Sequence, residues 1–262
     1  MRVAVVSTYP NTGNTTVAAM LGTALACTQE VDVALTYTTL KARRLCEYMG
    51  VTPTQDITTN LSQINQLIQA DAISPEECKD YLLRVQNHLY ILDTSSDTLS
   101  EEDRIDMMKK VYSFNVAPIT ICDISSNKDV MTEPLTQDII AESDMILLNA
   151  NPDLKTKKRL DEWREEGLLP MDKPVLLFIN MFDERIYSIR DLARINGFKV
   201  RNSVKLHRNP FIQKYSNDGK LTSIVTEALK RNLAVLELNQ DLKEICEAIM
   251  YYAQMRFKWE DK

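Results

Sequence analysis

Runs of apolar, β-branched residues alternate along this chain with segments whose apolar residues recur at helical spacing. Short continuous apolar runs predict buried strands at Arg2–Ser7, Val31–Thr36, Leu89–Leu92, Ala117–Asp123, Met145–Ala150 and Pro174–Ile179, with a shorter one near Val200–Leu206. Between them, helical periodicity predicts helices from about Val17 through Leu25 and over Leu61–Ala70, Glu101–Phe114, Leu154–Glu166, Ile186–Asn196 and Leu221–Arg231. A further helix is predicted over Pro75–Val85 with Ser74 as its cap, and a last one over about 239–257. This alternation predicts an α/β fold: a mostly parallel twisted sheet with helices on both faces. In such sheets ligands bind beyond the carboxyl ends of the strands, so the loops after Ser7, Asp123 and Ile179 should converge on the functional site.

Composition narrows the picture. The 262 residues, 44% hydrophobic and 26% charged, can bury one large core, and six glycines with nine prolines leave little room for linkers, so a single domain over 1–262 is expected. A net charge of −6 disfavours a surface coated for nucleic acid. Five scattered cysteines form no CxxC pair and no charged-then-apolar leader opens the chain, which points to a reducing cytoplasm. Two separated histidines argue against a transition-metal centre, and no apolar run approaches the roughly 20 residues needed to cross a bilayer.

The first candidate chemistry lies between the first strand and the first helix. Thr8-Tyr9-Pro10-Asn11-Thr12-Gly13-Asn14-Thr15-Thr16 stands in the order of a phosphate-binding loop, G-x-x-x-x-G-K-S/T. That loop wraps backbone amides around phosphates, neutralises the outer ones with lysine and offers a hydroxyl to Mg²⁺. Gly13 and Thr15 match the second glycine and the hydroxyl, whereas Thr8 replaces the first glycine and Asn14 the lysine. The plainer reading is a helix start capped by Thr12 or Asn11.

Four segments in order resemble the ParA/MinD group of deviant Walker ATPases, within the SIMIBI class of P-loop NTPases. Tyr9–Thr16 is similar to the family's K-G-G-x-G-K-T-T loop; Ile119-Thr120-Ile121-Cys122-Asp123-Ile124-Ser125-Ser126 resembles its second switch. Ala141–Pro152 resembles its A-D-x-strand-x-x-x-P stretch, and Leu206-His207-Arg208-Asn209-Pro210 with Gly219-Lys220-Leu221 resembles its I-P-R-N to G-K-P loop. The resemblance implies a P-loop NTPase-like fold, ATP or ADP with Mg²⁺ as cofactor, and a homodimer. It places Asn11, Thr12, Gly13, Asn14, Thr15 and Thr16 around the phosphates, Asn180, Arg208 and Asn209 against the base, and Thr15 with Asp123 at Mg²⁺. Tyr9 takes the place of the signature lysine that reaches across the dimer, and Thr36-Tyr37-Thr38-Thr39-Leu40-Lys41 lacks the first-switch aspartate.

Charge-assisted hydrogen bonds contribute about 1.5–3 kcal/mol each, so two absent lysines remove roughly 3–6 kcal/mol, or two to four decades of affinity. Phosphoryl transfer depends on such positioned charge, so efficient hydrolysis is not expected. Several side readings stay open. Asp123 either holds Mg²⁺ or caps a following helix through Ser125 and Ser126; Arg208 and Asn209 either hold a base or form an exposed turn, with Asn180 ending its strand. Lys199, Arg201, Lys205, Arg208 and Lys214, uninterrupted by acids, are either a nucleic-acid strip or, the preferred reading, a solvated rim. The terminal Ile249–Trp259 stretch, rich in aromatics and bases, suits packing on the domain or a partner, or peripheral contact with the inner face of a membrane.

Two functions follow. One is a noncatalytic or weakly nucleotide-binding ParA/MinD-like scaffold near the TadZ/CpaE branch, recruiting a membrane-associated assembly such as a pilus or secretion machine through protein partners. The alternative is an active partition or positioning ATPase that dimerises on ATP, with nonspecific DNA binding.

Overall fold

The computed structural model describes residues 1–38, 44–51, 61–93, 100–124, 129–170, 172–230 and 235–260, with the side chains of 254–260 excepted. Among the described residues, eight strands form one sheet. In chain order the elements are β1 (Arg2–Ser7), α1 (Asn14–Gln29), β2 (Val33–Tyr37), α2 (Arg44–Met49), α3 (Leu61–Gln69), β3 (Leu83–Gln86), β4 (Leu89–Ile91), α4 (Glu101–Phe114), β5 (Ile119–Asp123) and α5 (Pro134–Glu142). They continue with β6 (Met145–Ala150), α6 (Leu154–Glu165), β7 (Val175–Phe182), α7 (Ile189–Ile195), β8 (Ser203–His207), α8 (Pro210–Asn217), α9 (Leu221–Leu229) and α10 (Leu236–Glu260). The sheet order is β3-β4-β2-β5-β1-β6-β7-β8, with every neighbouring pair parallel except β3 with β4.

The apolar runs are nearly continuous because both faces of the sheet are covered. Along β1, Val3 and Val5 face a core built with Met20, Leu21, Ile224 and Ile245, while Ala4 and Val6 face the opposite core with Met108, Val111, Ile139 and Trp163. Strand side chains alternate with period two, so one run of valines serves two helical layers. Local signals set the helix ends: Ser100 caps α4 by accepting the Asp103 amide at 3.1 Å, and Asp153 caps α6 by accepting that of Thr156 at 2.7 Å.

The helix expected over Pro75–Val85 is not formed. Ser74 donates through both its amide and its hydroxyl to the Glu77 carboxylate, each at 2.9 Å, and a short 3₁₀ turn at Cys78–Tyr81 leads into β3. β3 then folds back on β4 through the two-residue loop Asn87-His88, with His88 at φ 60°. A pair of turn-forming residues between two apolar runs is a hairpin signal, and pairing with the sheet overrides helical spacing. Three helices went unforeseen, α2, α5 and α8, the last two opened by Pro134 and Pro210 at their first positions. Several predicted bounds also shift. Val200–Asn202 is a 3₁₀ turn before β8, β7 continues through Asn180 to Phe182, and α10 begins at Leu236. Arg231, the expected end of α9, and Thr39–Lys41 of the first-switch region lie outside the described residues.

Candidate nucleotide-binding site

The loop after β1 folds on its own hydroxyls. Ser7 and Thr12 each donate to the Tyr9 carbonyl at 3.0 Å, and the Thr8 amide donates to the Asn149 carbonyl of β6 at 3.1 Å. Asn11 and Gly13 take positive φ, 64° and 81°. Gly13 is required there: a Cβ would be strained at that φ and would meet Asn180 Nδ2 at 3.1 Å.

Neither Asn11 nor Thr12 caps α1. Gly13 is the N-cap and has no side chain to offer a first-turn amide, and no acidic residue lies in the first turn. Thr12 is turned the other way, its hydroxyl on Tyr9 and its carbonyl accepting from Asn180 Nδ2 at 2.7 Å and Asn149 Nδ2 at 3.3 Å. The first-turn amides of α1 thus keep the positive end of the helix dipole open to an anion.

Asn14 lies beneath this loop, 5% exposed. Its Nδ2 is within hydrogen-bond distance of the Val5 carbonyl (2.9 Å), Asp123 Oδ1 (2.8 Å) and the Ile124 carbonyl (3.0 Å). An amide nitrogen carries only two hydrogens, so this side chain is fully committed to the sheet. At the lysine position stands a neutral brace.

Asp123, at the end of β5 and 4% exposed, accepts from Asn14 and from the Thr15 hydroxyl. Burial pushes its carboxyl up to about 6 against the lowering effect of those two bonds. Thr15 and Asp123 are therefore brought together, and a hydroxyl with a carboxylate is a hard-oxygen pair of the kind Mg²⁺ takes. The competing cap through Ser125 and Ser126 lies outside the described residues.

A cleft of about 330 Å³ opens beside the loop, lined by Asn11, Gly13, Thr16, Asn180, Arg208 and Asn209, with Val17, Tyr48, Met181, Leu206 and Ile212 as apolar walls. A flat apolar ring with a few convergent polar groups suits such a lining. Two of the polar residues already have local duties. Asn180 spends Nδ2 on Thr12 and Oδ1 on the Met181 amide (2.9 Å), and Asn209 caps α8 by accepting the Phe211 amide at 2.9 Å.

Sequence reasoning missed Asn149, fully buried on β6, whose Nδ2 links the Thr12 carbonyl and, at 3.4 Å, Asn14 Oδ1. Its signal was an amide inside an apolar strand, since buried polar groups need partners. His207 was also missed: its amide donates to Asp241 Oδ2 at 2.7 Å and its Nδ1 lies 2.9 Å from Asp241 Oδ1, clipping the edge strand β8 to α10. The basic strip is divided by this strand. Lys199 and Arg201 precede β8, Arg208 and Lys214 follow it, and Lys205 Nζ lies 5.2 Å from the centroid of the Phe182 ring.

By sequence the chain matches no protein-family model and no curated protein. Its architecture does have solved counterparts. A ParA family ATPase from Chlorobium tepidum superposes with a TM-score of 0.71 at 14% identity, over 94% of this chain and 98% of that one. The septum site-determining protein MinD of Pyrococcus horikoshii, complexed with Mg-ADP, gives 0.66 at 14% identity, over 95% of each chain. The MinC:MinD cell division complex of Aquifex aeolicus gives 0.66 at 14% identity, again over 95% of each. No helix among the described residues is long and apolar enough to cross a membrane. The resemblance read from four short segments extends to the whole architecture: the chain has the fold of the ParA and MinD ATPases.

Proposed function

We propose that this chain, acting as one unit over residues 1–262, is a ParA/MinD-like positioning or recruiting protein that binds ATP or ADP weakly with Mg²⁺ and turns it over poorly. The observation that carries this reading is the convergence of loop and base-side residues on one cleft while Asn14 is locked to Asp123. The cradle geometry supports binding, and the neutral brace supports slow chemistry. Asp123 supports Mg²⁺ in particular, because an anionic carboxylate buried with only neutral donors costs stability that a cation would recover.

In this reading the protein works through protein partners and a homodimer, as a scaffold for a membrane-associated assembly such as a pilus or secretion machine. The solved MinC:MinD complex lends the partner class its precedent. A working partition ATPase is the second reading, favoured by the intact Thr15–Asp123 pair. One experiment separates them: titration of a fluorescent ATP analogue with and without Mg²⁺, alongside phosphate release. Weak, Mg²⁺-dependent binding with negligible turnover supports the scaffold, whereas micromolar affinity with steady hydrolysis supports the ATPase. No binding at millimolar nucleotide overturns both.

A further inference from the structure

Arg159 combines a partly buried cation with an unmet hydrogen-bonding demand at its Nε, beside a loop whose positions 9 and 14 are neutral. It projects from α6 one turn after Thr156, whose hydroxyl lies 3.5 Å from that of Thr8, so this face of α6 abuts the start of the loop. The guanidinium carbon lies 5.2 Å from the centroid of the Tyr9 ring, in the cation–π range. The side chain is 15% exposed. Its Nη1 donates to Glu162 at 3.3 Å along its own helix, while its Nε is buried without a hydrogen-bond partner.

Withdrawing even part of a cation from water is costly where a donor such as Nε goes unmet, and an i,i+3 pair with a partly exposed glutamate contributes little. Packing of α6 does not require it, because Leu160 and Trp163 already anchor that helix to the core. Arginine's planar fork is suited to phosphate oxygens, and its flat face to an aromatic ring. The residue it rests on is Tyr9, which occupies the place of the signature lysine.

Resting on the nucleotide reading above, we propose that Arg159 is the cation of this site, contributing to α1's open amides the charge that the loop lacks and binding the outer phosphates of a nucleoside triphosphate, with Tyr9 as the platform that holds its plane. The positive charge has moved from the loop to the neighbouring helix. Phosphate number should then decide affinity through this residue.

The test is titration of fluorescent ATP and ADP analogues with Mg²⁺ into the full chain and its Arg159→Gln, Arg159→Lys, Tyr9→Phe and Tyr9→Ala variants, each checked for an unchanged far-UV spectrum and melting profile. Loss of one charge-assisted contact predicts ATP binding weakened about tenfold to a hundredfold in Arg159→Gln, and ADP binding weakened less. Arg159→Lys should recover part of the loss, and Tyr9→Phe should bind as the parent while Tyr9→Ala does not. A parent that binds ATP and a folded Arg159→Gln that binds it equally well overturn the inference and leave the proposed function standing. An equal loss for ATP and ADP overturns the outer-phosphate role, and a parent that binds neither overturns both proposals.

Discussion

Asn14 Nδ2 lies 2.8 Å from Asp123 Oδ1, joining the first residue of α1 to the last residue of β5 inside the protein. The bond runs between the residue at the P-loop lysine position and the carboxylate expected at Mg²⁺. A neutral donor holds that carboxylate without neutralising it, so the loop keeps its shape and Asp123 keeps the cost of its charge.

Asn14→Lys should restore a cation where the cradle needs one. The expected outcome is ATP affinity raised by about one to two decades, from one charge-assisted contact of about 1.5–3 kcal/mol. Isothermal titration with Mg-ATP checks it, and an unchanged affinity in a folded variant would mean that the loop's shape, rather than its charge, limits binding.

Asp123 makes stability pH-dependent with a definite sign. Its carboxyl rises from 3.8 to about 6 on folding, so between those values the folded chain holds a proton that the unfolded chain has released. This contribution is full below about pH 4 and is lost as pH rises through about 6; at neutral pH the cost is about 3 kcal/mol at about 1.4 kcal/mol per unit. Asp123→Asn should therefore stabilise the protein at pH 7.5 by about 1–3 kcal/mol and change it little at pH 4, while removing the Mg²⁺ dependence of nucleotide binding. Urea unfolding of parent and variant at both pH values reads the difference directly.

Asp241 clips the edge of the sheet. Its carboxylate accepts from the His207 amide and ring on β8 while sitting 1% exposed on α10. Asp241→Ala leaves both part-buried donors without this acceptor, and the expected loss is about 1–3 kcal/mol. Asp241→Asn should lose less because it still accepts. Hydrogen exchange gives the local check: the His207 amide should exchange faster in the alanine variant than the amides of β1.

Gly50 follows α2 with φ +67°, and a Cβ there would meet the Gly219 carbonyl at 2.3 Å. Both the backbone conformation and the close approach exclude a side chain. Gly50→Ala should cost at least about 2 kcal/mol and loosen the α2–α8 side of the cleft, where Tyr48 stands. A melting profile equal to that of the parent would contradict it.

Much of the fold was legible from periodicity, because a strand buried on both faces must be apolar at almost every position and few other environments demand that. Arg2–Ser7 and Met145–Ala150 are strands over the residues expected. The hairpin at Leu83–Ile91 was not legible as such: Leu82, Leu83 and Val85 also satisfy a helical pattern, and only pairing with β2 through β4 selects the strand. α5 and α8 escaped notice because their prolines read as breakers, although proline suits a first helical turn.

The site divides in the same way. Gly13 and Thr15 were candidates from residue order, since a phosphate loop is a local arrangement of backbone after a strand, whereas Asp123 and Arg208 were candidates only through the resemblance of more distant segments. Sequence alone determined that positions 9 and 14 carry no positive charge, because charge is a property of residue type. Which way Asn14 points, that Asn149 and Asn180 hold the Thr12 carbonyl from two other strands, and that Arg159 rests on Tyr9 were decided by the tertiary structure. Those contacts join residues more than a hundred positions apart, and the parallel sheet alone brings them within hydrogen-bonding or stacking distance.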